Sequence, residues 1–234
     1  METESLLEKQ DAGIGRRSFL RYAGAGLAGV GILAVGACTK DDPNEGINTN
    51  RGGIDLGAKG DFAILNYAYA LEQLEAAFYT QVVATMYTGA TSDEIALLTD
   101  IRDHELAHRE FFKAALGSKA IQALTPDFGA VNFSNRASVL ATAQAFEDLG
   151  VSAYNGAGFQ IQDATYLTIA GKIVSVEARH AAYIRNLVNP GSFADSTILD
   201  GFGMDKVNTI PGVLATANTF LKTKVNAYDY GYTA

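Results

Sequence analysis

Over residues 61–87 apolar side chains recur at helical spacing, with Leu65, Ala68, Leu71, Leu74, Phe78 and Val82 on one side of the predicted helix. Gly89 ends this segment. Thr91-Ser92-Asp93-Glu94 then has the form of a capping box, in which a threonine and a glutamate three positions on satisfy each other's backbone N–H groups. It opens a second helix with Ile95, Leu98, Ile101, Leu106, Phe112 and Leu116 on the apolar side, and Gly117 stops it. Residues 118–133, with Pro126 and Gly129, read as a connection. Ser134 or Asn135 caps a third helix through Leu140, Ala143, Phe146, Leu149 and Tyr154, fading near Gly156 and Gly158. Asp163 caps a fourth with Leu167, Ile173, Val176, Ile184 and Leu187, ended by Asn189-Pro190-Gly191. The rest holds a short helix candidate near 212–223 and a tyrosine-rich end. The pattern predicts an all-α chain: a four-helix bundle over 59–190, then a C-terminal extension, 191–234, packing on it.

Each predicted helix carries an acidic residue near its middle, in an apolar setting. The first offers Glu72 and Glu75, the second Glu105 with His108, the third Glu147, the fourth Glu177 with His180. Residues three apart share a helix face, so each Glu-x-x-His pair can hold one ion while its glutamate reaches a second. A glutamate plus Glu-x-x-His, twice over, is the carboxylate di-metal pattern of helix bundles. The chain has only three histidines, and two of them stand in this motif. Heights also agree. Glu72 lies 17 residues before Gly89 and Glu105 16 after it, while Glu147 and Glu177 each lie 15 from Gln162. At about 1.5 Å per residue, the members of each pair fall at one level of antiparallel helices. The 16 residues of 118–133 reach up to about 53 Å, enough for helices two and three to run parallel.

Four carboxylates in one core repel one another and lose their hydration unless something compensates. Two divalent cations balance four negative charges, and the imidazoles complete the donor set. Oxygen and nitrogen donors of this kind suit iron or manganese, and zinc also fits. Around these positions, His104 reads as a surface residue or a partner of a ligand. Glu75 reads as a neighbour of the ligands or as ion-paired to a basic side chain. Tyr79, Tyr154 and Tyr183 are candidates to hydrogen-bond ligands or pass electrons, with plain packing favoured for at least two of them. Arg179 points away from the site, Asp148 reads as an outward neighbour of Glu147, and Glu94 and Glu110 as solvated surface acids.

Residues 1–38 read as an export address. A polar start, Arg16-Arg17-Ser18-Phe19-Leu20 and an apolar, glycine-rich run over 22–37 follow signal-peptide order. The run is shorter than the roughly 20 residues of a spanning helix. The paired arginines resemble a twin-arginine export signal. Val35-Gly36-Ala37-Cys38 resembles a lipoprotein cleavage box, with Cys38 as the lipidated residue; an uncleaved anchor or a secreted product is the alternative. Residues 39–58, rich in Gly, Asn and Asp, read as a flexible tether that begins with the lipoprotein-like Thr39-Lys40-Asp41-Asp42. The expected product is exported, periplasmic or at the cell surface, and meets a membrane through the lipid alone.

Composition narrows the rest. With 234 residues and 48% hydrophobic content the chain suits one domain plus address and tail. A net charge of −8 argues against a nucleic-acid partner. The single cysteine excludes an intrachain disulfide or a cysteine metal cluster.

Four segments carry a family resemblance: LNYAYALEQLEAAFY (65–79), RDHELAHREFFKAALG (102–117), AQAFEDLGVSAYNGA (143–157) and VEARHAAYIRNL (176–187). They resemble bacterial ferritin-like domain proteins related to plant desiccation-associated proteins, over about 61–189. The resemblance implies a ferritin-like bundle with the long crossover between helices two and three. It also implies a first-helix ligand seven residues before a tyrosine, which selects Glu72, before Tyr79, over Glu75. The implied ligands are Glu72, Glu105, His108, Glu147, Glu177 and His180, with Glu75, Tyr79 and Tyr154 around them. Two iron or manganese ions there support ferroxidase, peroxide-consuming or manganese-catalase-like chemistry with O2 or peroxide. The alternative is a non-catalytic cell-envelope protein with a structural or vestigial site. An iron-storage shell fits poorly with a tethered N-terminus and a long extension. The oligomeric state stays open, a dimer included.

Overall fold

The computed structural model of the chain describes residues 52–234. The export signal, Cys38 and residues 39–51 of the expected tether lie outside the described residues. Four long helices dominate: α1 (Asp61–Ala84), α2 (Ser92–Leu116), α3 (Arg136–Ala157) and α4 (Ala164–Val188). A short fifth, α5, spans Ile210–Ala217. Helix α1 pairs with α2, α3 pairs with α4, and α1 packs against α3. Residues 117–135 cross between the two hairpins. No described helix is long and apolar enough to cross a membrane.

Local chemistry sets the helix ends. The Thr91 hydroxyl accepts from the Glu94 backbone N–H at 3.2 Å, and the Glu94 carboxylate accepts from Thr91 N–H at 3.1 Å, closing the box that starts α2. Gly117, at φ 54°, ends α2 in a left-handed conformation that costs glycine nothing. Asn135 caps α3 through Ser138 N–H, and Asp163 caps α4 through the N–H groups of Thr165 and Tyr166. Thr209 caps α5, with Pro211 in its first turn.

Helix α1 is buried on every face from Ala63 to Ala76, because the crossover and the C-terminal segment cover the side that α2 and α3 leave open. Its outer amides hold that cover. Asn66 donates to Lys119 O at 2.9 Å and accepts from Ile121 N–H at 2.9 Å, and Gln73 accepts from Leu124 N–H at 2.8 Å. The crossover in turn meets the C-terminal segment, with Asp127 N–H on Phe220 O at 2.7 Å and Lys222 N–H on Thr125 O at 2.9 Å. Phe78 lies among Phe128, Phe133 and Phe146, and Phe146 meets Phe220 edge-on at 4.7 Å. Full burial of such a ring stabilises by about 1.5–3 kcal/mol, so these aromatics help clamp the crossover and the tail onto the bundle.

Several expectations need correction. The expected tether over 39–58 gives way before its end. Ile54 and Leu56 are 1% exposed, and Ile54–Asp55 (β1) pairs in parallel with Val225–Asn226 (β2). Two apolar residues in alternation find a buried face there despite the surrounding glycines. Glu94 is not a solvated acid. It is 6% exposed and accepts from Arg136 Nε at 2.8 Å, so the cap also ties α2 to α3. Asp148 does not simply face outward. It meets Arg185 Nη1 at 2.6 Å, and this buried guanidinium also reaches Ser192 O and Asp195, pinning the chain after α4. Ile95 and Leu167 sit at exposed first turns of α2 and α4, outside the apolar stripe they were expected to extend.

Candidate metal centre

Glu72, Glu105, Glu147 and Glu177 are each 0% exposed, His108 7% and His180 5%. Every helix of the bundle supplies at least one of the six. They form two groups that share two members: Glu72, Glu105, His108 and Glu177 in one, and Glu105, Glu147, Glu177 and His180 in the other. Within each group the donor atoms lie within 4.8 Å of one another.

The atoms are arranged almost as mirror halves. His108 Nδ1 lies 2.8 Å from Glu177 Oε1, 3.5 Å from Glu72 Oε2 and 3.7 Å from Glu105 Oε2. His180 Nδ1 lies 2.9 Å from Glu105 Oε1, 3.5 Å from Glu147 Oε2 and 3.6 Å from Glu177 Oε2. Glu105 and Glu177 thus give one oxygen to each half, the position of bridging carboxylates. Glu72 and Glu147 each belong to one half. Their second oxygens accept from tyrosines on the opposite helix: Tyr154 donates to Glu72 Oε1 and Tyr79 to Glu147 Oε1. Burial, then the adjacent carboxylates, raises both phenols well above their ordinary value, so both stay protonated donors.

The inward-facing atoms decide what the cluster is for. Glu72 Oε2, both oxygens of Glu105 and of Glu177, Glu147 Oε2 and the two Nδ1 atoms are buried without a hydrogen-bond partner. The short nitrogen–oxygen approaches are ion-pair distances, but none has hydrogen-bond direction; the atoms of each half instead gather within 4.8 Å of one another. A buried polar atom left unsatisfied costs about 1–3 kcal/mol, more when charged. Eight in one place is unlike a self-sufficient polar core, and cations at the two convergence points would satisfy all of them.

Protons partly stand in for cations when no metal is bound. Burial alone would push the imidazoles down, but the carboxylates around them outweigh it. They hold His108 far above its ordinary value and His180 at about 12. Burial raises both bridging acids, yet the two imidazoles bring Glu177 down to about 2. Glu105, repelled by Glu177, rises to about 8. The bridging pair therefore shares one proton near neutral pH, as two like charges in one site must.

The neighbours sort as follows. Glu75, one turn beyond Glu72, is 4% exposed, and among the described residues no basic side chain is paired with it, contrary to one of its two expected roles. Burial and then the charges of Glu105, Glu177, Glu147 and Glu72 raise its carboxyl well above the usual range. Gly150 leaves it room: a methyl group there would sit 3.1 Å from Glu75 Oε1. Tyr79 and Tyr154 hold carboxylates, so plain packing fails for two of the three tyrosines, and Tyr183 is 41% exposed. Arg179 points outward to Ser175. His104 Nδ1 lies 2.9 Å from His180 Nε2, with the two rings nearly parallel at 9°. The signal for that contact was its place beside Glu105, but the partner on α4 is not readable from spacing.

The arrangement offers two adjacent positions for hard or borderline cations, each with three carboxylates and one imidazole, and four carboxylates balance two divalent charges. No curated protein sequence is significantly similar to the chain. The model of the ferritin-like domain matches residues 60–190, more than half of the chain and the span from the start of α1 to the end of α4. The chain belongs to the ferritin-like domain family.

Proposed function

We propose that this chain holds two iron or manganese ions and uses them on peroxide or O2: with iron, Fe(II) is the reductant and substrate, and with manganese a second peroxide is, being oxidised to O2 as the first is reduced to two waters. The reading rests on the eight unsatisfied donor atoms that converge from all four helices on two positions with two shared carboxylates. When bound, a pair of ions that each give up one electron supplies the two electrons that turn peroxide and two protons into two waters.

The residues divide the remaining work. Glu105 and Glu177 hold the two positions together, and their carboxylates can shift as the charge between them changes. Glu72 and Glu147 each complete one half, and the Tyr154 and Tyr79 hydroxyls fix their orientation. Glu75 keeps a proton on its carboxyl beside the cluster, where a reduced oxygen species needs one. Full burial of the four carboxylates excludes bulk water. A small apolar cavity of about 20 Å³, lined by Ala68, Leu71, Phe112, Tyr154 and Ala157, adjoins Tyr154. It has room for a reactant of water size.

The same complete burial favours a second reading, a structural metal site in a non-catalytic cell-envelope protein. Stopped-flow mixing of the Fe(II)-loaded chain with peroxide or O2 separates the two. The oxidoreductase reading expects Fe(II) consumed two per peroxide, well above the rate of free Fe(II). Stoichiometric iron with no acceleration contradicts it and leaves the structural reading. Export as a lipoprotein completes the proposal, and rests on Arg16-Arg17 and on the Val35-Gly36-Ala37-Cys38 box. Intact mass of the mature chain tests it: a lipid-modified N-terminus at Cys38 is expected, and an unmodified Cys38 in the exported protein contradicts it.

A further inference from the structure

The two halves of the cluster match in every group but one. Each has the bridging pair Glu105 and Glu177, one further glutamate with a tyrosine donor, and one histidine with Nδ1 turned inward. Their outward Nε2 atoms differ. His180 Nε2 lies 2.9 Å from His104 Nδ1. His108 Nε2 makes no hydrogen bond to a protein group among the described residues and is not fully buried, which leaves it to water. His104 directly precedes Glu105, so its side chain leaves α2 about 100° around the helix from the ligand and stands at the surface, across from α4.

We infer that His104 is a positioning residue that makes the two halves unequal, so that the Glu147–His180 half takes its ion first and more tightly. The inference rests on the metal reading of the cluster. An imidazole that gives its Nδ1 lone pair to a cation carries its proton on Nε2, and that proton needs an acceptor. His104 Nδ1 is placed to accept it, with the His104 proton on its own Nε2. The contact selects the tautomer of His180 and stops its ring from turning. His108 has only water for the same proton, which fixes its tautomer less firmly. Outer partners of ligating histidines typically contribute about 10–100-fold in metal affinity, and here one half has a protein partner and the other only water.

The test is calorimetric titration of the metal-stripped full chain with Zn(II), for wild type, His104→Phe and His104→Gln. Wild type should bind two ions in two separable steps. His104→Phe keeps a ring at an exposed position but removes the acceptor. It should weaken the first step by about 10–100-fold and leave the second unchanged. His104→Gln retains an acceptor and should recover part of the loss. In the zinc-loaded wild type, 15N NMR should show His180 protonated on Nε2 with a slowly exchanging proton that disappears in His104→Phe. Two equal steps in wild type, or a loss in His104→Phe spread over both steps, overturns the inference while the two-ion centre stands. A wild-type chain that binds no zinc overturns the inference and the centre together.

Discussion

Glu105→Gln is expected to lose both metal ions while the metal-free fold stays intact. Glu105 offers Oε1 to the half with His180 and Oε2 to the half with His108, so neither position is complete without its charge. In the metal-free chain its carboxyl rises to about 8, chiefly through burial and then through Glu177. Its protonated form is thus favoured in the metal-free fold near neutral pH, and glutamine, also neutral, keeps its shape. The substitution removes the metal-binding form and keeps the metal-free one. A hundredfold or greater loss of affinity at both positions is expected from removing a bridging carboxylate, on the order of 3 kcal/mol or more per ion. Glu147→Gln should differ, since Glu147 belongs to one half: one ion should go and one remain. Metal analysis after equilibrium dialysis, with circular dichroism on the same samples, checks both variants. Two ions retained by Glu105→Gln would remove the bridging role from the account.

Metal loading is expected to raise the melting temperature by on the order of 15–30 °C, and more at alkaline than at acid pH. Each ion present at about a thousand times its dissociation constant stabilises the fold by about 4 kcal/mol. For a chain of this length each kcal/mol moves the midpoint by roughly 2–4 °C. The pH trend follows from the buried groups. In the metal-free fold Glu105 rises from 4.5 to about 8 and His180 from 6.5 to about 12. A group raised on folding contributes its full stability below its unfolded pKa and loses it as pH climbs through the folded one. Glu105 thus acts between about pH 4.5 and 8, and His180 from about 6.5 upward. Glu177, lowered to about 2, acts only below pH 4.5, where its contribution is lost as pH falls. Between pH 5 and 8 the metal-free chain should therefore melt at falling temperatures. Each proton held only in the fold steepens that loss by up to about 1.4 kcal/mol per pH unit. Cations displace those protons, so the loaded chain should escape the decline and the gap should widen with pH. Scanning calorimetry at pH 5.5 and 8, with and without metal, reads this directly. A gap independent of pH, or a metal-free chain more stable at pH 8, would contradict it.

What the sequence showed of this molecule was local. Two Glu-x-x-His pairs placed Glu105, His108, Glu177 and His180 on their helix faces, and helical spacing put Glu72 and Glu147 at matching heights. Capping chemistry marked Thr91, Asn135 and Asp163, because a cap satisfies backbone groups only a few residues away. The misread features depend on chain far off in sequence. Glu94 was recognised in its capping box, yet Arg136, the residue that buries its charge, lies 42 positions on. Tyr79 sits seven residues after Glu72 but bonds Glu147, and Tyr154 sits seven after Glu147 but bonds Glu72. The spacing of each tyrosine was legible, whereas the crossing of partners exists only once α1 lies against α3. The burial of α1 on all sides, and of Ile54 and Leu56, likewise depends on a crossover and a tail whose paths no periodicity describes.

Two ions near enough to share Glu105 and Glu177 must be magnetically coupled. Electron paramagnetic resonance of the metal-stripped full chain, titrated with Mn(II) to two equivalents, tests it most directly. A broad multiline spectrum from two magnetically coupled ions is expected at saturation, and it should be absent in Glu105→Gln. A six-line signal from isolated Mn(II) that grows in proportion to added metal, or saturation at one ion per chain, would contradict it.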